Sequence, residues 1–234
     1  MYDTIVCFGD SLTQHGWDVT KRGWTAQLAQ TYLRKLDIVN RGFSGYTSRH
    51  GRILLPRILQ SDNAPGSKPR LVTILFGSND AQFAPYKAHV PLAEFRANIE
   101  FMVRSVSSTR LVLITPPPIA AGPFARSKAE KGTPVDRSIE VTRQYAEAVR
   151  QVAREHQLPC VDLWPAMEPN PDDYLWDGLH LNANGNDLLF KLLMQTVSDN
   201  YPELNPDSMP FIVPHHEQLY KLSDDAAIEQ SLRL

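Results

Sequence analysis

The chain has 234 residues, enough to bury one sizeable core, and with 42% hydrophobic and 21% charged residues it has the make-up of an ordinary globular domain. A formal net charge of −2 and the lack of any dense Lys/Arg stretch argue against a nucleic-acid binder or an anionic-membrane binder. No apolar run approaches the roughly 18 residues needed to span a bilayer, and the opening MYDTIVCFGD has neither the basic nor the apolar region of a secretory signal. Cys7 and Cys160 both fall in expected core strands and read as buried free thiols, so a cytoplasmic protein is expected.

In chain order, residues 4–8 form a short apolar run and read as the first strand. Trp24, Leu28, Tyr32 and Leu36 recur every four residues and share one helix face. Residues 38–40 read as a second strand, 71–76 as a third and 111–115 as a fourth, stopped by Pro116, Pro117 and Pro118. Between the last two, Leu92, Phe95, Ile99, Met102 and Val106 make a helical stripe. Val141, Tyr145, Ala148, Val149 and Val152 make the next; residues 159–163 read as a fifth strand, and Leu188, Leu189, Leu192 and Leu193 mark a final helix. Apolar strands alternating with helices imply a parallel α/β sheet covered on both faces. Such sheets place their sites at the carboxyl ends of the strands.

Two segments fall outside this pattern. Residues 120–134 read as a long surface loop, either a lid or a plain connection. Beyond Tyr201, Pro202, Pro206, Pro210 and Pro214 forbid a continuous helix until near the end. That tail still carries Phe211, Ile212, Val213, Leu219 and Tyr220, so it is expected to cover the site region or a partner subunit. The organisation expected is a main domain over residues 1–200 and a packed tail over 201–234.

Four short segments each follow an expected strand: Gly9-Asp10-Ser11-Leu12, Gly42-Phe43-Ser44-Gly45, Gly77-Ser78-Asn79-Asp80 and Asp177-Gly178-Leu179-His180. Together they hold what acyl transfer requires. A serine hydroxyl needs an adjacent base, which His180 can supply. The imidazole must be held in one tautomer by a carboxylate, and Asp177 lies three residues away. The oxyanion needs donors fixed in advance, and the N–H groups of Ser11 and Gly45 with the amide of Asn79 offer three. Gly45 allows close approach of the backbone to a ligand. Asp10 and Asp80 read as structural acids that bond turn backbone, and Asn182 and Asn184 as helix caps. The pair His215-His216 is set aside as a metal site, since neighbours in extended chain point apart. Trp17, Trp24, Trp164 and Trp176 read as core or pocket wall, with Trp176 placed to shield Asp177 and His180 from water.

In order and in residue type, these segments resemble the conserved blocks of the SGNH (GDSL-type) hydrolases. The resemblance implies a flavodoxin-like, three-layer α/β/α sandwich with a five-stranded parallel sheet of order 2-1-3-4-5. It implies Ser11 as nucleophile, His180 as base, Asp177 as its orienting acid, and Ser11, Gly45 and Asn79 as oxyanion donors, with no metal and no cofactor. The run from Arg41 to Arg49, the Asp177–His180 segment and the Tyr201-Pro202 start of the tail are similar to the isoamyl acetate-hydrolysing esterases of fungi and their relatives. His50 stands where a tryptophan commonly follows the arginine in those relatives. This closer likeness implies a small acetate or short-chain ester as substrate and a homodimer. The same constellation could instead deacetylate sugars or cleave thioesters and lysolipids; Pro116–Pro118 and Phe124 point towards an apolar pocket. A nucleotide-binding role is disfavoured, because no phosphate-cradling glycine motif is present.

Overall fold

Strand β1 (Thr4–Gly9) is buried along its whole length. Ile5 and Cys7 turn into one apolar core and Val6 and Phe8 into a second, so both faces of the sheet must be covered. The computed structural model describes residues 2–61, 67–106, 109–222 and 224–232. After β1 come α1 (Ser11–Gln14), α2 (Trp24–Thr31), β2 (Asp37–Gly42), α3 (Ser48–Ser61), β3 (Pro69–Leu75) and α4 (Leu92–Ser105). They are followed by β4 (Arg110–Ile114), α5 (Ala121–Glu130), α6 (Ile139–Glu155), β5 (Cys160–Val161), α7 (Trp164–Met167) and α8 (Ala183–Asn200). The tail adds α9 (His216–Leu219) and α10 (Asp225–Ser231).

The five strands are parallel and lie in the order β2-β1-β3-β4-β5. Helices α2 and α8 cover one face through Trp24, Leu28, Leu189 and Leu193. Helices α3, α4 and α6 cover the other through Leu55, Phe95, Ile99, Tyr145 and Val149. This is the expected three-layer α/β/α sandwich. Among the described residues, no helix is long and apolar enough to cross a membrane.

Register sets the position of the site. Gly9 pairs level with Gly42 on one side and Leu75 on the other. The carboxyl ends of β1, β2 and β3 therefore finish together, and the segments that follow them emerge on one edge of the sheet.

Three elements differ from the sequence reading. Helix α3 was not expected: its inner face is narrow, with Gly51, Leu55 and Ile58 buried, while Arg49, Arg52, Pro56 and Arg57 face outward. Helix α5 lies within the segment read as a loop; Pro123 sits in its first turn, where a missing N–H costs nothing, and Ala and Lys carry it onward. Residues 204–214 of the tail dock away from the site. Tyr32 donates to the Leu204 carbonyl at 2.7 Å, Ile212 N–H to the Arg34 carbonyl at 3.0 Å, and the Arg34 guanidinium to the Val213 and Pro214 carbonyls. Arg34 precedes β2, so these anchors lie at the amino-terminal end of the sheet, opposite Ser11.

Candidate active site

Ser11 opens α1 directly after β1, and the Asp10 side chain caps that turn by accepting the Leu12 N–H at 2.9 Å. Ser11 Oγ lies 3.0 Å from His180 Nε2, and His180 Nδ1 lies 2.8 Å from Asp177 Oδ2. The other Asp177 oxygen accepts the backbone N–H groups of Leu179 at 3.0 Å and His180 at 2.8 Å. Burial opposes ionisation of Asp177, but these bonds and the His180 ring outweigh it and hold the carboxyl at about 2. The segment is closed by an antiparallel bridge between Leu175 and Leu181 and by Trp176 N–H to the His180 carbonyl. Gly178 is required there: its φ is +81°, and a Cβ would stand 2.3 Å from the Phe124 nitrogen.

Gly45 and Asn79 stand on the adjoining loops. Gly45 has φ +80° and open space where a Cβ would project. Asn79 donates one amide hydrogen to the Tyr46 carbonyl at 2.9 Å, which joins the loop after β3 to the loop after β2. That bond uses one of its two amide hydrogens. The Ser44 N–H in turn donates to the Gln14 side chain at the end of α1, at 2.8 Å. Ser11, His180 and Asp177 are thus in direct contact, while Gly45 and Asn79 sit on loops tied to each other and to α1.

Aromatic rings flank His180. Trp176 stacks on it at 5.7 Å and 20°, and is itself 52% exposed. His15 meets it edge-on at 5.3 Å; burial first, and then the neighbouring His180, lower the His15 pKa. His15 was missed in the sequence, although its place one helical turn beyond Ser11 was the available signal. Phe124 is buried, with the cations of Lys128 and Arg137 each 5.5 Å from its ring centroid. His50 accepts the Thr47 N–H at 3.0 Å through Nδ1 and leans on Tyr46.

Two carboxyls lie beneath the site. Asp10 and Asp80 are fully buried, and one oxygen of each has no hydrogen-bond partner among the described residues. The Asp80 side chain accepts the Ser48 N–H at 2.9 Å and so caps the start of α3. Burial pushes the Asp10 carboxyl from 3.8 to about 7; the Leu12 N–H opposes it, Asp80 adds to it, and His180 and Arg137 oppose it. Burial likewise lifts Asp80 to about 6, against the hydroxyl and N–H of Ser48. A carboxyl with a raised folded pKa holds its proton more tightly in the folded state. Its stabilising contribution is full below 3.8 and is lost as the pH rises through about 7. Asp10→Asn keeps a capping residue without this titration. Its stability relative to the parent is expected to increase between about pH 4 and pH 8 in urea melts, whereas a constant difference would refute the assignment.

The tail holds a further group. His215 and His216 do not point apart: their rings lie 4.1 Å from one another at the start of α9, close to Glu217, because the chain turns there. The His215 side chain accepts the Gln218 N–H as a cap. Cys7 and Cys160 are free thiols, the second only partly buried.

A parallel sheet in this order, with serine, histidine, aspartate and asparagine gathered at its carboxyl edge, defines the SGNH class of hydrolases. The chain belongs to the GDSL-like lipase/acylhydrolase family, whose model matches residues 7–188, and it is a carboxylic-ester hydrolase. It is 39% identical over 225 residues to an isoamyl acetate-hydrolyzing esterase 1 homolog of Bos taurus, covering 92% of this chain and 87% of the relative. It is 36% identical to a GDSL esterase/lipase of Arabidopsis thaliana, over 98% of this chain and 99% of the relative. Among solved structures, a lipase/acylhydrolase from Enterococcus faecalis superposes with a TM-score of 0.66 at 28% identity, covering 84% of this chain and 96% of that one. An acetylxylan esterase from Geobacillus stearothermophilus shares the fold with a TM-score of 0.64 at 22% identity, covering 83% and 94%.

Proposed function

We propose that the chain is a serine esterase that hydrolyses small acetate or short-chain carboxylic esters, of the isoamyl acetate kind, through an acyl-enzyme. The observation that carries this reading is the unbroken path from Asp177 through His180 to Ser11, at 2.8 and 3.0 Å. An ionised Asp177 can only accept, so His180 Nδ1 bears the hydrogen and Nε2 accepts from the Ser11 hydroxyl. His180 takes that proton as Ser11 Oγ attacks the acyl carbonyl. The oxyanion is met by the N–H groups of Ser11 and Gly45 and by the second amide hydrogen of Asn79. The imidazolium then protonates the departing alcohol. Water activated by His180 releases the acid and restores the serine. The reaction uses no group beyond these residues and water.

The names of the mammalian relatives support a small ester, and so do Trp176 and His15, which cover two sides of the His180 ring. The reading includes a cytoplasmic homodimer. Free thiols favour a reducing compartment, and half-exposed Trp17 and Leu33 wall a groove along the edge strand β2. A carbohydrate acetylesterase is the second reading. The half-exposed indole of Trp176 favours it, as a face on which a sugar ring can stack.

The test is hydrolysis of 4-nitrophenyl esters of rising acyl length, set beside acetylated xylo-oligosaccharides. The highest kcat/KM is expected at acetate or butyrate. A rise towards long chains would move the assignment to a lysophospholipase or thioesterase, and a preference for the acetylated sugar would select the second reading.

A further inference from the structure

Arg137 is only 4% exposed, yet it carries a full charge and a planar fork of donors. Burying such a group is costly unless its hydrogen bonds are met. Its Nε donates to Asp136 Oδ1 at 3.1 Å, and its Nη1 donates to the backbone carbonyl of Ser78. That carbonyl belongs to the peptide group that leads into Asn79. Asp136 is held from the other side: its Oδ2 accepts Lys128 Nζ at 2.6 Å and Gln82 Nε2 at 2.7 Å, and its own carbonyl accepts the Phe83 N–H at 2.7 Å. The guanidinium also lies against the Phe124 ring.

Helix α5, which carries Phe124 and Lys128, reaches the other half of the site. At the start of α5, the Ala120 N–H donates to the Gly178 carbonyl at 3.0 Å, and Phe124 packs where a Cβ on Gly178 would stand. Helix α5 and the segment after it therefore touch the loop of Asp177 and His180 at one end and the loop of Asn79 at the other. Contacts at both ends make this segment a strut between the two loops.

We infer that Arg137 is a positioning residue for Asn79: by fixing the Ser78–Asn79 peptide, it holds the Asn79 amide where the oxyanion forms. The inference rests on the proposed role of Asn79 as an oxyanion donor. A donor contributes to catalysis in proportion to how well it is aimed beforehand, so a side chain that aims it shares its effect. Two groups that act as one unit give losses that do not multiply.

The experiment measures kcat and KM for Asn79→Ala, Arg137→Gln and Arg137→Lys, each alone, and for both Arg137 variants in the Asn79→Ala background, on 4-nitrophenyl acetate. Asn79→Ala alone is expected to lower kcat by about 10²–10³-fold. Arg137→Gln should lower kcat by about tenfold or more with KM nearly unchanged, and by less than about twofold once Asn79 is gone. Arg137→Lys restores a charged donor without the fork and should fall between the parent and the Gln variant; if the Gln variant does not fold, the Lys variant carries the comparison with Asn79→Ala. If the Arg137 losses are the same in both backgrounds, or fall on KM, the inference is overturned while the role of Asn79 stands. If Asn79→Ala leaves kcat intact, the oxyanion reading itself fails, and the inference with it.

Discussion

Ser11→Ala is expected to lower turnover of 4-nitrophenyl acetate by on the order of 10⁶-fold, the scale set by removing the nucleophile from an unrelated serine hydrolase triad. The hydroxyl makes one hydrogen bond, to His180 Nε2, and the residue is otherwise a small buried side chain at the start of α1. Its loss should change stability by no more than about 1 kcal/mol. Activity and fold are therefore separable in this variant: the melting curve stays and turnover goes. Adding His180→Ala to Ser11→Ala should cost nothing further, since the base has no proton left to take. A serine-directed phosphonate probe should label the parent protein and leave the variant unlabelled. Labelling of the variant, or ester hydrolysis that survives in it, would remove Ser11 from the chemistry.

The sheet was legible because most strands carry a short apolar run, and because α2, α4, α6 and α8 carry apolar residues at helical spacing. The site was legible for a related reason: parallel register finishes β1, β2 and β3 together, so segments that follow strands in sequence become neighbours in space. Local motifs could therefore report a long-range constellation such as the Ser11–His180 contact. What was hidden depends on burial that a sequence does not print. Arg137 and Asp136 drew no reading from the sequence, and only packing shows that both are sealed inside. Helix α5 was hidden by Gly122 and Pro123, which mark loops unless they fall in a first helical turn. The surface that the tail meets was not legible, because its apolar residues name no partner; its anchors lie at the amino-terminal end of the sheet. The acids Asp10 and Asp80 were read correctly as backbone acceptors, but their strong burial and unpartnered oxygens follow only from three-dimensional packing.

Asp177→Asn tests the orienting carboxylate, and the geometry states in advance how the variant fails. Asp177 Oδ1 is held by two backbone N–H groups, so an asparagine must place its carbonyl oxygen there. Its amide NH2 then faces His180 Nδ1, where the carboxylate oxygen stood at 2.8 Å. A donor at that point forces Nδ1 to accept and moves the ring hydrogen to Nε2, the nitrogen that faces Ser11. The serine loses its base although every atom remains close to its place. The expected result is a fall in kcat of about 10⁴-fold near neutral pH, the scale known for the same exchange in an unrelated triad, with KM and fold retained. Stability carries a second signature. Because the folded Asp177 pKa is depressed from 3.8 to about 2, its contribution is complete above the unfolded value and is lost as the pH falls through the folded one. The parent should therefore lose stability relative to Asp177→Asn only under acid, the opposite direction from Asp10→Asn. A kcat within tenfold of the parent would mean that His180 keeps its tautomer without Asp177, and the proposed path from acid to serine would have to be redrawn.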